Sequence, residues 1–173
     1  MPPVLSIVAP AYNEERNLAA FLAVLVPVLE SIGDPFEIVF VTDGSRDGTL
    51  GMLAAAASQD PRIKVVGLAR NFGKDIALSA GLAHASGQAI VPIDCDLQHP
   101  PELIPKFVTR WREGFDMVIG VRSKRDEEGF LRRSFAQLYY KVMRAMTSVE
   151  IPANAGDFRL IDRKIMDVIN QMP

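Results

Sequence analysis

Short apolar runs alternate with segments of helical periodicity along most of this chain, and this alternation constrains its fold more than any other feature. The apolar runs span residues 5–9, 36–42, 63–68, 90–93 and 117–121. Segments whose apolar residues recur at helical spacing lie between them, at residues 15–32, 50–58, 75–85 and 101–113. Such an order is typical of parallel strands joined by right-handed helical crossovers. The sequence therefore predicts an α/β fold with a mostly parallel sheet.

The pattern changes after residue 121. The segments predicted there are a charge-rich loop at 122–133, an amphipathic helix at 135–146, an irregular or strand segment at 154–160 and a last helix at 162–170. With 173 residues the chain is long enough for one domain with a sizeable core. Because it stops directly after a helix-like run, residues 1–173 are expected to form a single domain of a truncated protein.

Charge, cysteine usage and hydropathy exclude several classes of function. The net charge of −2 predicts no global attraction to nucleic acid. A single cysteine, Cys95, rules out an internal disulfide. The chain begins without the basic region of a signal peptide, and no stretch reaches the ~18 apolar residues of a membrane span. A chain of this composition is expected to be soluble.

Polar and acidic side chains follow three of the predicted strands. Tyr12, Asn13 and Glu14 follow the first, Asp43 follows the second, and residues 94–98 follow the fourth. Because the carboxyl ends of parallel strands meet at one edge of a sheet, these side chains are expected to face one ligand site. The sequence lacks both Gly-x-Gly-x-x-Gly and Gly-x-x-x-x-Gly-Lys-[Ser/Thr], which argues against a dinucleotide oxidoreductase and a P-loop kinase. Acidic loops repel a bare phosphate, so a nucleoside diphosphate held through Mg²⁺ or Mn²⁺ fits better.

The turn after the fourth strand brings Asp94, Asp96 and Gln98 close together in sequence. Two crowded carboxylates repel each other and favour a bound cation, and oxygen ligands select a hard one such as Mg²⁺ or Mn²⁺. The alternative is a solvated turn in which an Asp serves as a helix cap. Cys95 fits a small filler at the strand end better than it fits a metal thiolate. Lys74 fits either a contact to a diphosphate or a solvated lysine in the first turn of a helix.

Five motifs occur along the chain in one order. They are Pro-Ala-Tyr-Asn-Glu at residues 10–14, Asp-Gly-Ser-Arg-Asp-Gly-Thr at 43–49, Asn-Phe-Gly-Lys at 71–74, Asp-Cys-Asp-Leu-Gln-His-Pro-Pro-Glu at 94–102 and Gly-Asp-Phe-Arg-Leu at 156–160. Together they resemble the inverting glycosyltransferases of family 2 and, within it, the polyprenyl-phosphate sugar transferases of the dolichol-phosphate type. The resemblance extends over residues 5–167. It implies a Rossmann-like, nucleotide-binding A-type glycosyltransferase fold with three layers, α/β/α.

The resemblance also implies a role for individual residues, by matching position. The residues implied to line the nucleotide pocket are Pro10, Tyr12, Glu14, Val41, Asp43, Asp94, Cys95 and Lys74. The implied metal ligands are Asp94, Asp96 and Gln98, and the implied catalytic acids are Asp94, Asp96 and Asp157. Similar sequences carry a second acid directly before Asp43, where this chain has Thr42. This departure leaves the base of the donor, uridine or guanosine, open.

A UDP-sugar or GDP-sugar donor and a polyprenyl phosphate acceptor follow from the same resemblance. It implies that Arg122, Arg132 and Arg133 bind the acceptor phosphate, for which the planar guanidinium is well suited. Related transferases carry membrane helices beyond the catalytic domain. The full-length protein is therefore expected on the cytoplasmic face of a membrane, with a homo-oligomer left open. His84 is expected to be structural, and His99 stands where similar sequences carry an acid and is not assigned as a ligand.

Two other interpretations keep this fold. In one of them the acceptor is a hydroxyl group of a saccharide, and in the other the chain is a degenerate module that binds a sugar nucleotide without turnover. The intact acids Asp94, Asp96 and Asp157 count against the second. A hydroxyl acceptor needs a general base, for which Asp157 is the candidate. A phosphate monoester is already anionic at neutral pH and leaves Asp157 to position the acceptor.

Overall fold

The computed structural model describes residues 2–121, 155–169 and 171, with the backbone alone for residues 155–157. The strands are β1 (Leu5–Ala11), β2 (Phe36–Asp43), β3 (Ile63–Leu68), β4 (Ala89–Pro92), β5 (Met117–Val121) and β6 (Ala155–Asp162). The helices are α1 (Glu15–Ile32), α2 (Thr49–Gln59), α3 (Lys74–His84), α4 (Ile104–Arg112), which follows a 3₁₀ turn at Pro101–Leu103, and α5 (Arg163–Ile169). The predicted loop at 122–133 and helix at 135–146 lie outside the described residues.

The strands form one six-stranded sheet in the order β3-β2-β1-β4-β6-β5. β1 pairs in parallel with β2 and β4, and β2 pairs in parallel with β3, whereas β6 is antiparallel to both β4 and β5. The prediction of a mostly parallel sheet is thus confirmed. Chain order reverses beside β1, since β2 and β3 lie on one side of it and β4 lies on the other. Ligands of open α/β sheets bind at such a switch point, outside the carboxyl ends of the strands.

Helices cover both faces of the sheet and make three layers. On one face α1, α2 and α4 bury apolar side chains such as Phe21, Leu53 and Phe107 against the strands. On the other face α3 and α5 pack against the sheet through residues that include Leu82 and Met166. Because both faces are covered, β1, β2 and β4 are buried along nearly their whole length, which explains their continuous apolar runs.

α3 lies unusually close to the sheet at Gly81. A Cβ atom at this position would lie 2.4 Å from Cγ1 of Val8 and 2.9 Å from Cγ2 of Val41, which is closer than side chains approach one another. A glycine is therefore required where the helix crosses β1 and β2. This contact sets the height of α3 above the strands whose ends form the ligand edge.

The C-terminal elements differ in detail from the sequence prediction. The segment predicted as irregular or strand is a regular strand, and α5 begins at Arg163, one residue later than predicted. The reason is Asp162, whose carboxylate accepts a hydrogen bond from the backbone N–H of Lys164 at 2.8 Å and so acts as the cap of α5. The indole N–H of Trp111 donates to the same carboxylate at 2.6 Å and ties α4 to the end of β6.

Within the described ranges, none of the helices combines the length and the apolar character that crossing a lipid bilayer requires.

Candidate functional site

An open cavity of about 320 Å³ lies at the carboxyl ends of β1, β2 and β4. Its lining consists of Pro10, Ala11, Tyr12, Glu14, Asp43, Asn71, Gly73, Lys74, Ala77, Asp94, Cys95 and Asp96. Seven of the eight residues predicted for the nucleotide pocket and two of the three predicted metal ligands are among them. The structure thus brings residues of four separate loops to one place, and three of these loops are the ones that the strand-end argument named.

The loops after β1 and β2, residues 11–15 and 42–49, bond to each other and are called here the cross-bonded loops. The backbone N–H of Glu14 donates to the hydroxyl of Thr49 at 2.9 Å, and the N–H of Glu15 donates to Asp47 at 3.2 Å. In return the carboxylate of Glu15 accepts from the N–H of Gly48 at 2.8 Å. Each loop therefore caps the helix that follows the other loop, which satisfies amides that a helix start leaves without partners.

A second set of bonds joins the same loops around Asn13 and Ser45. Asn13 has a positive φ of 56°, and its side-chain oxygen accepts from the N–H of Arg46 at 2.9 Å. The N–H of Asn13 donates to the hydroxyl of Ser45 at 3.1 Å. Thr42 donates through its hydroxyl to Ser45 at 3.2 Å. Thr42 therefore bonds within its own loop, to the residue through which that loop contacts Ala11 and Asn13.

Asp43 holds the loop between β3 and α3. Its side chain is buried, with 2% of the residue exposed, and both carboxylate oxygens accept backbone hydrogen bonds. Oδ1 accepts from the N–H of Phe72 and Oδ2 from the N–H of Gly73, each at 2.8 Å. The sequence assigned Asp43 to the nucleotide pocket but gave no indication of these intramolecular partners, because they depend on how the loop is placed in space.

Residues 94–98, named here the acidic turn, are held more loosely than the cross-bonded loops. Lys74 Nζ donates to Oδ2 of Asp94 at 2.7 Å, which places the lysine at the acids. The carboxylate of Asp96 accepts from the backbone N–H of Gln98 at 3.0 Å, and Leu97 between them has a positive φ of 60°. The side chains of Asp96 and Gln98 are exposed, and the cavity lining includes Asp96 but leaves out Gln98.

Cys95 belongs to the cavity lining and is also a buried residue of the core. Only 1% of the residue is exposed, and its thiol lies 3.7 Å from the carbonyl oxygen of Pro10. Burial raises the pKa of the Cys95 thiol well above its usual range, and the charges of Glu14, Asp94 and Asp96 raise it further. The place of Cys95 among the buried core residues fits a small filler at the strand end.

The oxygen atoms around the acidic turn fit a hard divalent cation. Among the described residues, no group of three or more His, Cys, Asp and Glu side chains is arranged to hold a metal ion. Asp94 and Asp96 are two carboxylates that line the cavity, and Gln98 follows in the same turn with its side chain exposed. Mg²⁺ in nucleotide enzymes is commonly held by one or two carboxylates together with substrate phosphates, which is the donor set that this turn offers.

Some predicted site residues are found elsewhere or are not described. Val41 is fully buried beneath Gly81, two residues before Asp43 on β2, and does not reach the cavity lining given above. Arg122, Arg132 and Arg133 lie outside the described residues. The backbone of Asp157 belongs to β6, and because β6 runs antiparallel to β4, the first residues of β6 lie toward the ligand edge.

A smaller cavity of about 160 Å³ adjoins the first and includes residues that the sequence did not assign. Pro10, Lys74 and Asp94 line both cavities, and His99 and Arg159 line only the smaller one. The ring of His99 stacks on Phe158 with 5.2 Å between centroids, and its Nδ1 lies 3.9 Å from Asp94 Oδ2. The signal that could have found Arg159 is its place in the Gly-Asp-Phe-Arg-Leu motif.

Comparison with known proteins gives a consistent result. The profile of the family described as Glycosyl transferase family 2 matches residues 6–169. The chain is 50% identical over 169 residues to an uncharacterized glycosyltransferase of Synechocystis sp., covering 98% of this chain and 53% of that protein. It is 41% identical over 169 residues to a bactoprenol glucosyl transferase of Shigella phage SfV, covering 98% of this chain and 55% of that protein. The chain thus spans about half the length of these relatives.

A similar solved structure is that of a mannosyltransferase from Pyrobaculum calidifontis in complex with GDP-Man and Mn²⁺. The TM-score is 0.65 at 21% sequence identity, and the match covers 100% of this chain and 48% of that one. At this level of identity the likeness concerns the fold.

Proposed function

The chain belongs to glycosyl transferase family 2, and from this premise we propose that it transfers a sugar from a nucleotide-sugar donor to a polyprenyl phosphate. The transfer depends on a divalent metal ion, Mg²⁺ or Mn²⁺, and inverts the anomeric centre. The donor is a UDP-sugar or a GDP-sugar. Because the acceptor is a lipid, the reaction takes place at a membrane, and the family resemblance implies its cytoplasmic face.

The observation that carries this proposal is the shared cavity. Acids of the acidic turn and residues of the cross-bonded loops line one space, so a single ligand can meet both at once. As the family resemblance implies, we assign Tyr12 and Asp43 to the base and ribose, and Asp94 and Asp96 to the diphosphate. The single six-stranded sheet supports the assignment of residues 1–173 to one catalytic domain.

The metal ion would be held by Asp94, Asp96 and Gln98. When bound, it supplies positive charge that neutralises the charge developing on the nucleoside diphosphate as it leaves. Lys74 adds a second cation at the same place, because its ammonium group already lies 2.7 Å from Asp94. Without these cations, two carboxylates would repel a diphosphate.

The chemical step is a single displacement. An oxygen of the acceptor phosphate forms a bond to the anomeric carbon while the bond from that carbon to the diphosphate oxygen breaks, and the diphosphate leaves with the electron pair. One displacement inverts the anomeric centre, whereas retention normally needs a second step. Since the acceptor phosphate is already an anion at neutral pH, no side chain has to remove a proton.

The polyprenyl acceptor is supported by the bactoprenol glucosyl transferase relative, at 41% identity. Arg122, Arg132 and Arg133 remain our candidates for binding its phosphate, because paired guanidinium donors suit phosphate oxygens. Asp157, on the strand whose start lies toward the ligand edge, is proposed to position the acceptor.

Donor binding and transfer are tested separately. Calorimetric titration of the chain with a panel of UDP- and GDP-sugars, with Mn²⁺ or with EDTA, should give metal-dependent binding of one nucleotide class. Transfer of labelled sugar to undecaprenyl phosphate in detergent should then follow the same metal dependence. Binding of the donor that EDTA leaves unchanged would contradict the metal requirement, and transfer only to a saccharide hydroxyl would contradict the acceptor.

Asp157→Asn distinguishes the two acceptor chemistries. If the acceptor is a phosphate, the variant should lose transfer at pH 7 and stay equally impaired up to pH 9, because no general base is missing. If the acceptor is a hydroxyl, raising the pH should restore activity, since hydroxide replaces the base. Initial rates between pH 7 and 9, compared with those of the unsubstituted chain, decide between them.

A further inference from the structure

The loop between β3 and α3 rests on the turn that follows β2. Both oxygens of the buried Asp43 accept hydrogen bonds from this loop, at Phe72 and at Gly73. A buried carboxylate is stable only when hydrogen bonds satisfy it, and these two bonds run to successive amides of one segment. Asp43 therefore fixes both the position and the direction of the chain where it enters α3.

Gly44 adds a direct contact between the two backbones. A Cβ atom at Gly44 would lie 2.5 Å from the carbonyl carbon of Arg70 and 2.6 Å from the nitrogen of Asn71. The backbone of the turn thus touches the backbone of the loop, with no space for a side chain. Together Asp43 and Gly44 hold four consecutive residues of the loop, Arg70 to Gly73.

The same loop leads directly into Lys74, the first residue of α3. Lys74 Nζ donates to Asp94 Oδ2 at 2.7 Å across the cavity. Farther along, Gly81 holds α3 against β1 and β2, so the helix cannot shift as a whole to compensate for a displaced loop. The contacts of Asp43 and Gly44 with residues 70–73 therefore determine where the backbone of Lys74 lies.

We propose that Asp43 is a positioning residue for the diphosphate end of the site, in addition to lining the cavity. By holding the loop it keeps the ammonium group of Lys74 at Asp94, where a diphosphate would bind. This inference rests on the proposed function, since it takes the cavity to bind a nucleoside diphosphate. The alternative is that Asp43 contributes only to binding the nucleoside.

The test compares ligands with and without the diphosphate. Dissociation constants are measured for uridine and UDP, and for guanosine and GDP, in the presence of Mn²⁺. One of the two series, uridine or guanosine, is expected to bind. Within that series, we call the dissociation constant of the nucleoside divided by that of its diphosphate the diphosphate gain. Asp43→Asn keeps the shape of the side chain but turns one acceptor into an NH₂ group that faces a backbone N–H. We expect the gain to fall about tenfold, the scale of one charge-assisted hydrogen bond.

Lys74→Met provides the second arm of a double-mutant cycle. It should lower the gain by a similar factor, and the double variant Asp43→Asn, Lys74→Met should lower it no further, because both changes remove the same interaction. If Asp43 only contacts the nucleoside, Asp43→Asn weakens both ligands equally and the gain is unchanged, which overturns the proposal. Additive losses in the double variant would overturn it as well. Failure of the unsubstituted chain to bind UDP or GDP would instead overturn the proposed function.

A readout that needs no ligand completes the test. Amide hydrogen exchange of Phe72 and Gly73 should accelerate in Asp43→Asn, while the amide of Ile38, which donates to Arg62 in the sheet, should keep its protection. Unchanged exchange at residues 72 and 73 would contradict the claim that Asp43 holds this loop in place. Should Asp43→Asn not fold, Asp43→Glu keeps the charge and both acceptors but displaces them by one methylene, and should lower the gain by a smaller factor.

Discussion

The cross-bonded loops and the acidic turn lie along one cavity, yet the chain fixes them to different degrees. Side-chain hydrogen bonds join residues 13–15 of the first loop to residues 45–49 of the second, in both directions. In the acidic turn, Asp96 bonds to its own neighbour Gln98, and both side chains face solvent. The loops therefore have their geometry before a ligand arrives, whereas the turn offers charges that a ligand can organise.

This difference matches what the two ends of a sugar nucleotide require. A base and ribose are recognised by shape and directed hydrogen bonds, and a pre-formed pocket reduces the entropy that binding costs. A metal ion shared with a diphosphate completes its coordination with ligand oxygens and water, so its carboxylates need room to adjust. Substitutions in the loops should consequently affect folding and binding together, and substitutions in the turn should affect binding alone.

Gly44→Ala is expected to have the largest effect, because Gly44 lies in the cross-bonded loops where its backbone contacts the backbone of Arg70 and Asn71. Its φ of +65° disfavours any other L residue, and the added Cβ would lie 2.5 Å from the carbonyl carbon of Arg70. We expect the free energy of unfolding to fall by about 3 kcal/mol, from strain and overpacking together. Affinity for UDP or GDP should fall with it. Urea denaturation and calorimetric titration measure the two effects.

Gly33→Ala is the matched control for that substitution. Gly33 has a φ of +80° but open space around the position of a Cβ, so the variant should lose only about 1 kcal/mol through backbone strain. Equal losses in the two variants would mean that the contact with residues 70 and 71 contributes nothing.

Asp96→Ala should leave the fold intact and remove the metal-dependent part of donor binding. The side chain is exposed, so the free energy of unfolding should change by less than about 0.5 kcal/mol, with a small gain if repulsion from Asp94 is relieved. Affinity for the donor in Mn²⁺ should drop about tenfold, or about 1.4 kcal/mol. Asp116→Ala is the control, because this carboxylate pairs with Lys164 and does not line the cavity. It should leave the affinity for the donor in Mn²⁺ unchanged. Unaltered donor affinity in Mn²⁺ would remove Asp96 from the metal site.

Asp47→Asn should have the smallest effect, and one that depends on pH. The hydrogen bond from the Thr49 hydroxyl, with those from the backbone of Thr49 and Glu15, holds the pKa of Asp47 below its ordinary value. Stability from the ionised carboxylate is therefore complete above the unfolded pKa of about 3.9, and is lost as the pH falls through the lower folded value. The difference in Tm between the unsubstituted chain and Asp47→Asn should be constant from about pH 5 to 7 and shrink below about pH 4.

Asp167→Asn removes the same charge from the exposed surface of α5 and is measured in parallel as the control. A difference for Asp47→Asn that stays constant down to the most acid pH at which the chain folds would show that its carboxylate does not join the two loops.

Most of the described fold could be predicted because its strands are apolar runs, which are buried in β1, β2 and β4 and partly exposed in β3 and β5. Continuous apolar runs mark such strands plainly, and the bounds of α1, β3 and β5 agree with the sequence to the residue. The direction of β6 could not be predicted, since its pattern does not state which neighbours it joins. The A-type glycosyltransferase fold that the motifs implied is confirmed by the family match and by the structural comparison.

The sequence predicted which residues lie at the site, but it did not predict which residues they hydrogen-bond to. Strand ends identified Tyr12, Asp43 and Asp94 as neighbours, because a parallel sheet dictates where its strands end. Val41 shares a face of β2 with Asp43 but lies two residues deeper, under Gly81, which sequence position does not reveal. That Asp43 bonds to the next loop depends on the exact course of both backbones, and so could not be inferred from composition or spacing.

Cys95 gives the chain an internal reporter of its own opening. It is the single cysteine of the sequence, it is 1% exposed, and its raised pKa leaves almost no thiolate at neutral pH. A maleimide or disulfide reagent is therefore expected to react when the acidic turn comes away from Pro10 at Cys95. The rate of labelling therefore reports on these openings. If a sugar nucleotide and a metal ion slow the labelling, the decrease in rate measures how far they close the least constrained part of the cavity.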